Sequence, residues 1–521
     1  MTKSFALALM LIAALGILAM LIATQTGMDI CHDSVIYLSA AQNLLSGLGL
    51  SHYNSSAQLV PLTNYPPLLP SLLAWLTLLG LKGVHAFRFL NTAIFGANIA
   101  LAGWLVFGCT KDRMFGLLAA ILIAGNIDML GMHSWAMSEG LFIFLTLSAF
   151  GLLAAYLTND KPKILIACAC IMALACLTRY AGLANVAAAL AVLLFVNKKS
   201  LRQRLLETTA FALVSMLPSV IWYLRNLSLT GNATNRHAGL HPVAWLHLNS
   251  SLSTVSGWFV PRTWPYGVRG SAVAAVLALL AAWIIFRWHI NKKQGAPASA
   301  PGQSSVQSSA QPSPLPYVLI IFILVYLPFL AATITFFDVT TPMDPRLLSP
   351  VFAAGCVAAL CLLHRHFIEE KRSAWAVGLV IIACLLLMAS YMVRGAVWVS
   401  QHKDDAIGFS SRRWQRSRLI QAVRALPKDA PVYTNQVTAV YFLTGRPTII
   451  IPETYGRCTM AENRNYQKEL DRMVKGIKDK NGILVYFTDF SHFSHYPSEL
   501  ELTQKYPLTL HLNAQDGNIY K

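Results

Sequence analysis

The chain has 521 residues, 55% of them hydrophobic and only 12% charged, with a formal net charge of +18. A soluble protein carries about a quarter charged residues, so an ordinary water-soluble domain of this length is excluded. The basic excess lies in short clusters between apolar runs, which reports membrane orientation rather than a nucleic-acid partner.

The first run, 5–25, is long enough to cross a hydrocarbon core. Lys3 precedes it as in a signal peptide, but the run is long and lacks a small-residue cleavage site, so an uncleaved helix is expected. The next stretch, HDSVIYLSAAQNLLSGLGLS from His32, alternates polar positions (Ser39, Gln42, Asn43, Ser46) with apolar ones (Tyr37, Ala40, Ala41, Leu44, Leu48) at helical spacing. That pattern suits a helix lying at a membrane surface. Asp33 opens it, either as a helix cap or as a functional carboxylate.

Further apolar segments fall at 66–81, 86–108, 114–132, 139–157, 163–180, 181–196, 207–224, 271–287, 316–335, 346–363 and 374–393. Basic clusters at Lys111–Arg113, Lys161–Lys163, Lys198–Arg204, Arg287–Lys293 and His364–Arg372 fix one face as cytoplasmic. With Lys3 also inside, one segment fails to cross. The short, three-proline segment 66–81 is the expected one. Eleven crossings follow, with 26–85, a short turn at 133–138, Arg179–Gly182, 225–270 and Phe337–Arg346 outside. A Ser/Pro/Gln/Ala-rich segment, 291–316, reads as a disordered cytoplasmic linker between a transmembrane module at 1–290 and a second block of helices at 317–393. Residues 394–521 return to ordinary charge, with short β-like runs (PVYT, PTIII, GILVYF, LTLHL) between helical ones, as in a small outer α/β domain.

The candidate chemistry sits at the outer face. Glu139 opens a span, where a carboxylate is costly unless paired or facing a cavity; the alternative is a helix-start acid with Ser138 as cap. Arg88, Arg179, Arg225, Arg262 and Arg346 gather in outer segments, suited either to an anionic ligand such as phosphate or to lipid headgroups. Arg346 and Arg179 are the stronger ligand candidates, with Asp338 and Asp344 as alternative partners of Arg346. His52, His133, His237 and His241 show no metal-ligand spacing, and the nine cysteines form no CxxC, so neither a zinc site nor a redox motif is expected. No disulfide is expected between Cys31 and Cys458. Sequons at Asn54, Asn226, Asn232 and Asn249 all fall in outer segments.

The motifs DSVIYLSAAQNLLSGLG, YPPLLPSLLAWL, FRFLNTAIFG, MSEGLFIFL, LTRYAGL and DPRLLSP, in that order, resemble membrane glycosyltransferases of the GT-C superfamily. The resemblance is to its bacterial protein-mannosyltransferase-like and lipid A aminoarabinose-transferase-like members. It implies transfer of a sugar from a polyprenyl-phosphate donor to an extracytoplasmic glycan, lipid or protein, at the outer face of a bacterial inner membrane. On that reading Asp33 and Glu139 are the catalytic acids. Arg346, Arg179 and Arg88 bind the donor phosphate, and Tyr37, Tyr65, Pro66 and Pro67 line the substrate cleft. Many members carry two adjacent acids in the first loop; here Ser34 follows Asp33, which leaves Asp33 as the sole first-loop candidate. A divalent cation, Mg or Mn, shared by Asp33 and Glu139 stays open as the one cofactor. Two rival readings are a lipid-linked saccharide transporter or flippase, and a glycan polymerase or ligase using a diphosphate-linked donor.

Overall fold

The computed structural model describes residues 2–521 except 237–238, 241, 243, 277, 279–312, 338–340, 371–372, 428, 456–461 and 489–494. Helix α1 (Lys3–Ala23) is followed by α2 (His32–Leu45), an antiparallel pair β1 (Ser51–Tyr53) and β2 (Leu59–Pro61), and α3 (Leu68–Leu78). With 11 residues α3 is too short to cross a bilayer, since a span needs about 20. Then come α4 (Val84–Thr110), α5 (Arg113–Gly125), α6 (Ile127–Ser134), α7 (Glu139–Asn159), α8 (Pro162–Thr178), α9 (Gly182–Phe195) and α10 (Leu201–Thr230). After α11 (Trp245–Gly257) the bundle continues with α12 (Leu315–Phe337), α13 (Pro345–Leu363) and α14 (Ala374–His402).

The chain is a polytopic α-helical membrane protein. Seven described helices (α1, α4, α7, α10, α12, α13 and α14) are long and apolar enough to span, or eight with the bent pair α5–α6. Helices α8 and α9, at 17 and 14 residues, are shorter. Of the expected segment 271–287, only 271–276 and 278 are described, and the expected linker lies outside the described residues as far as 312. Eleven spans therefore remain an expectation. Helix α13 has 72% of its apolar window buried, whereas α14 buries 6% of its own.

One expected segment, 114–132, divides. The chain bends by 56° between α5 and α6. Asn126 makes the break: its Oδ1 accepts from the N–H groups of Asp128 (2.9 Å) and Met129 (3.0 Å), capping a new helix where the old one would continue. Backbone contact holds the bend, because a Cβ on Gly395 of α14 would come within 2.8 Å of the Gly125 carbonyl. His133, expected in the outer turn 133–138, lies instead in the last turn of α6. It is fully buried, with Nδ1 2.6 Å from the Met129 carbonyl and Nε2 3.1 Å from Asn98.

Beyond α14 lies a five-stranded mixed sheet in the order β4-β3-β5-β7-β6. Its elements are α15 (Arg418–Ala425), β3 (Val432–Thr434), α16 (Val437–Thr444), β4 (Ile449–Ile450), α17 (Tyr466–Asp479), β5 (Ile483–Phe487), α18 (Glu499–Lys505), β6 (Leu510–Ala514) and β7 (Gly517–Tyr520). The four expected strands form, joined by a fifth, β7, and a separate helical turn at Arg412–Gln415 precedes α15. Strand β5 is buried throughout and centres the sheet.

This unit docks on the segment that leads into α2. Ile30 bridges Gly408, whose φ of +72° and close approach to the Ile30 carbonyl, where a Cβ would collide, admit only glycine. Asp29 fastens the same junction: Oδ1 accepts from the Ile407 N–H and Oδ2 from the Ser134 hydroxyl, both at 2.6 Å. Burial pushes the Asp29 carboxyl up, and those hydrogen bonds oppose the shift.

Candidate active site

Helix α2 begins with a reciprocal contact that excludes Asp33 from capping it. The Ser34 hydroxyl accepts from the Cys31 N–H at 3.1 Å, and Cys31 is the cap residue. Ser34, the residue after Asp33, is fully buried in that structural task. The Asp33 carboxylate points elsewhere, 22% exposed.

Two partners reach it. The Tyr65 hydroxyl donates to Asp33 Oδ1 at 2.7 Å, and Arg346 Nη1 donates to Oδ2 at 3.3 Å. Burial and the adjacent carboxylate push the Tyr65 phenol well up, so it stays a donor. Arg346 is set by Asp344, whose Oδ1 caps α13 by accepting from the N–H groups of Arg346 (3.0 Å) and Leu347 (3.4 Å). Asp344 therefore acts on the backbone; Asp338 lies outside the described residues.

Behind Arg346 sits Glu139, 1% exposed, with its Oε1 3.7 Å from Arg346 Nε and 2.5 Å from Arg179 Nη1. Neither Glu139 oxygen accepts a hydrogen bond of good geometry despite this proximity, so the contacts are chiefly ionic. Arg179 Nη1 also donates to the Ser138 hydroxyl at 3.2 Å, and the Tyr37 hydroxyl lies 3.4 Å from the same oxygen. Ser138 makes no capping bond to α7. Tyr37 packs edge-on against Tyr65, ring centres 5.1 Å apart. The result is a continuous row, Tyr65–Asp33–Arg346–Glu139–Arg179.

The row borders a cavity of about 540 Å³. Asp33, Tyr37, Tyr65, Pro66, Arg179 and Arg346 all face it, while its other wall is apolar, with Leu183, Phe329, Leu330, Phe336 and Phe337. Glu139 stands behind the two arginines. Pro67, just before α3, is not in the lining. Asn64, Tyr223 and Arg236 are among the lining residues that carry no sequence signal as site residues.

Arg88 is elsewhere. Its Nη2 donates to the Leu21 carbonyl (2.8 Å) and its Nε to the Thr24 hydroxyl (3.0 Å), so it satisfies the end of α1 and does not face the cavity. Arg225 likewise bonds the Leu62 carbonyl at 2.8 Å, and Arg262 pairs with Asp128 at 2.8 Å. A cation shared by Asp33 and Glu139 does not fit this arrangement, because the Arg346 guanidinium stands between the two carboxylates; among the described residues no three potential ligands cluster elsewhere.

The overall shape has known counterparts. The structure of ArnT from Cupriavidus metallidurans bound to undecaprenyl phosphate matches with a TM-score of 0.58 at 13% identity, over 98% of this chain and 97% of that one. The apo state of ArnT from the same organism gives 0.56 at 14% identity, with the same coverage. The chain has the GT-C fold. A third structure, the oligosaccharyltransferase AglB from Archaeoglobus fulgidus in complex with an inhibitory peptide and a dolichol-phosphate, gives 0.47 at 13% identity over 91% of this chain and 69% of that one. By sequence the chain matches no protein-family model and no curated protein.

Proposed function

We propose that this GT-C chain is a glycosyltransferase that uses a polyprenyl-phosphate sugar and acts at the extracytoplasmic face of a bacterial inner membrane. The observation that carries the reading is the charged row beside a half-apolar cavity: two arginines for a phosphate, a carboxylate on a tyrosine, and an apolar wall for a lipid. The bound lipid phosphate in a structure of the same fold supports it.

In the reaction, the acceptor hydroxyl attacks the anomeric carbon and the bond from that carbon to the phosphate oxygen breaks. The hydroxyl proton passes to Asp33, and polyprenyl phosphate leaves with the electron pair, its added charge met by Arg346 and Arg179. A single displacement inverts the anomeric centre. Arg346 is held by Asp33 and Glu139; a donor phosphate competes for that guanidinium and releases Asp33 to act as base. Tyr65 keeps the Asp33 carboxylate oriented, and Glu139, behind the arginines, holds both cations in place.

The test incubates purified protein with polyprenyl-phosphate sugars and cell-envelope acceptors. Wild type releases polyprenyl phosphate and glycosylates the acceptor, and Asp33→Asn is slower by about 10²–10⁴-fold, the scale of a lost general base. Transfer at the wild-type rate by Asp33→Asn sinks the assignment.

A further inference from the structure

The cavity beside the charged row is lopsided in charge. Three guanidiniums line it, from Arg179, Arg236 and Arg346, against one carboxylate among the described lining residues, that of Asp33. Both Asp33 oxygens are engaged, Oδ1 by the Tyr65 hydroxyl and Oδ2 by Arg346. Glu139 stands behind Arg179 and Arg346, and the Asp344 carboxylate is turned to the N–H groups that open α13. Arg236 is exposed and pairs with no carboxylate among the described residues. It follows a turn in which Asn232 Oδ1 accepts from the N–H groups of Thr234 (3.0 Å) and Asn235 (2.9 Å). An ammonium entering this space meets three like charges. The carboxylate in the lining is Asp33, and pairing there would occupy the base that the reaction needs.

A neutral polar group stands close to the reacting centre instead. Asn64 precedes Tyr65, so its Cα lies about 3.8 Å from that of the residue that orients Asp33. Asn64 lines the cavity and also a second hollow, of about 920 Å³, between the first connecting region and the α/β unit. Its Oδ1 is buried and accepts no hydrogen bond among the described residues. A buried acceptor left empty is costly, and an O–H donor from a ligand completes it. Next to it, Tyr180 commits its hydroxyl to the protein, donating to the Thr63 carbonyl at 2.6 Å and accepting from the Trp222 indole at 3.3 Å. Its ring centre lies 5.6 Å from that of Tyr223, and both residues line the cavity. What they offer a ligand is aromatic surface, which suits the C–H side of a sugar ring.

We infer that the donor sugar is uncharged and that one of its hydroxyls donates to Asn64 Oδ1. The inference rests on the transferase reading for the identity of the donor. The polyprenyl chain takes the apolar wall of Phe329, Leu330, Phe336 and Phe337, which leaves the side of Asn64, Tyr180 and Tyr223 to the sugar. A neutral sugar fills that side with hydroxyls and adds no charge to it. An amino sugar brings an ammonium among the arginines, and the cavity selects against it.

The test measures binding to the full chain in detergent, by competition against radiolabelled undecaprenyl phosphate. The competitors are undecaprenyl-phosphate glucose, galactose and mannose, and undecaprenyl-phosphate glucosamine in its ammonium form. At least one neutral glycoside should bind about tenfold tighter than the glucosamine one. Asn64→Ala weakens that neutral glycoside about tenfold, the scale of one lost hydrogen bond. It leaves the binding of undecaprenyl phosphate unchanged, which reports an intact fold. Asn64→Asp keeps the acceptor oxygen and adds a negative charge, and Arg236→Gln removes a positive one; each shifts the preference about fivefold toward the glucosamine glycoside. Binding of the glucosamine glycoside as tight as that of any neutral one, or an unweakened neutral glycoside in Asn64→Ala, overturns the proposal. If wild type shows this preference but transfers no sugar, the transferase reading fails and the sugar site stands. If neutral and amino sugars are transferred with equal kcat/KM, the inference fails and the transferase reading stands.

Discussion

Glu139 and Asp128 look alike on paper: both open a helix, both are buried (1% and 4% exposed), and both pair with an arginine. Their surroundings differ. Asp128 accepts from Arg262 at 2.9 Å and from the Trp258 indole at 3.2 Å, and it lines neither of the two large hollows. Glu139 accepts no well-formed hydrogen bond, and its two arginines front an open cavity. A saturated ion pair is a fastening; an unsaturated one beside space is a place where a ligand completes the set.

The sharpest way to break this comparison is to remove the arginine on the side of Glu139 and the acid on the other. Arg346→Ala should lower kcat for sugar transfer by about 10²–10³-fold, the cost of one group stabilising developing charge, with thermal stability little changed. Next comes Tyr65→Phe, which deletes one hydrogen bond to Asp33 and should lower kcat/KM by about tenfold, or ~1.4 kcal/mol. Asp128→Asn should do the reverse of Arg346→Ala: stability falls by about 3 kcal/mol as a buried pair breaks, while the folded fraction transfers at the normal rate. The smallest expected effect is from chelation. EDTA leaves the transfer rate unchanged, and a loss restored by Mg or Mn would overturn the geometric reading of Asp33, Arg346 and Glu139.

Much of this architecture is legible in the amino-acid sequence, for physical reasons. Long apolar runs have one low-energy fate in a bilayer, so the helices of the bundle stand close to where hydropathy puts them. The break at Asn126 hides inside a continuous apolar run, because a capping side chain competes with helix continuation only when the tertiary fold rewards the bend. Asp33, Tyr65, Arg179 and Arg346 lie in one row, since acids and arginines in an apolar chain need partners. Arg88 shows the limit: the same residue type in the same band serves the end of α1. Asn64, Tyr223 and Arg236 enter the lining through loop paths and helix rotation that no local pattern encodes.

Asp29 has a consequence for the order in which the chain becomes functional. It joins residues 29, 134 and 407 through one carboxylate, just upstream of the point where Ser34 closes the start of α2. A ribosome delivers the partner at 407 only after most of the 521 residues have emerged. Until then the platform beneath Asp33 lacks one of its supports, however completely the earlier helices have inserted. The Asp29 junction therefore closes only after the long helix that ends at His402 has been made.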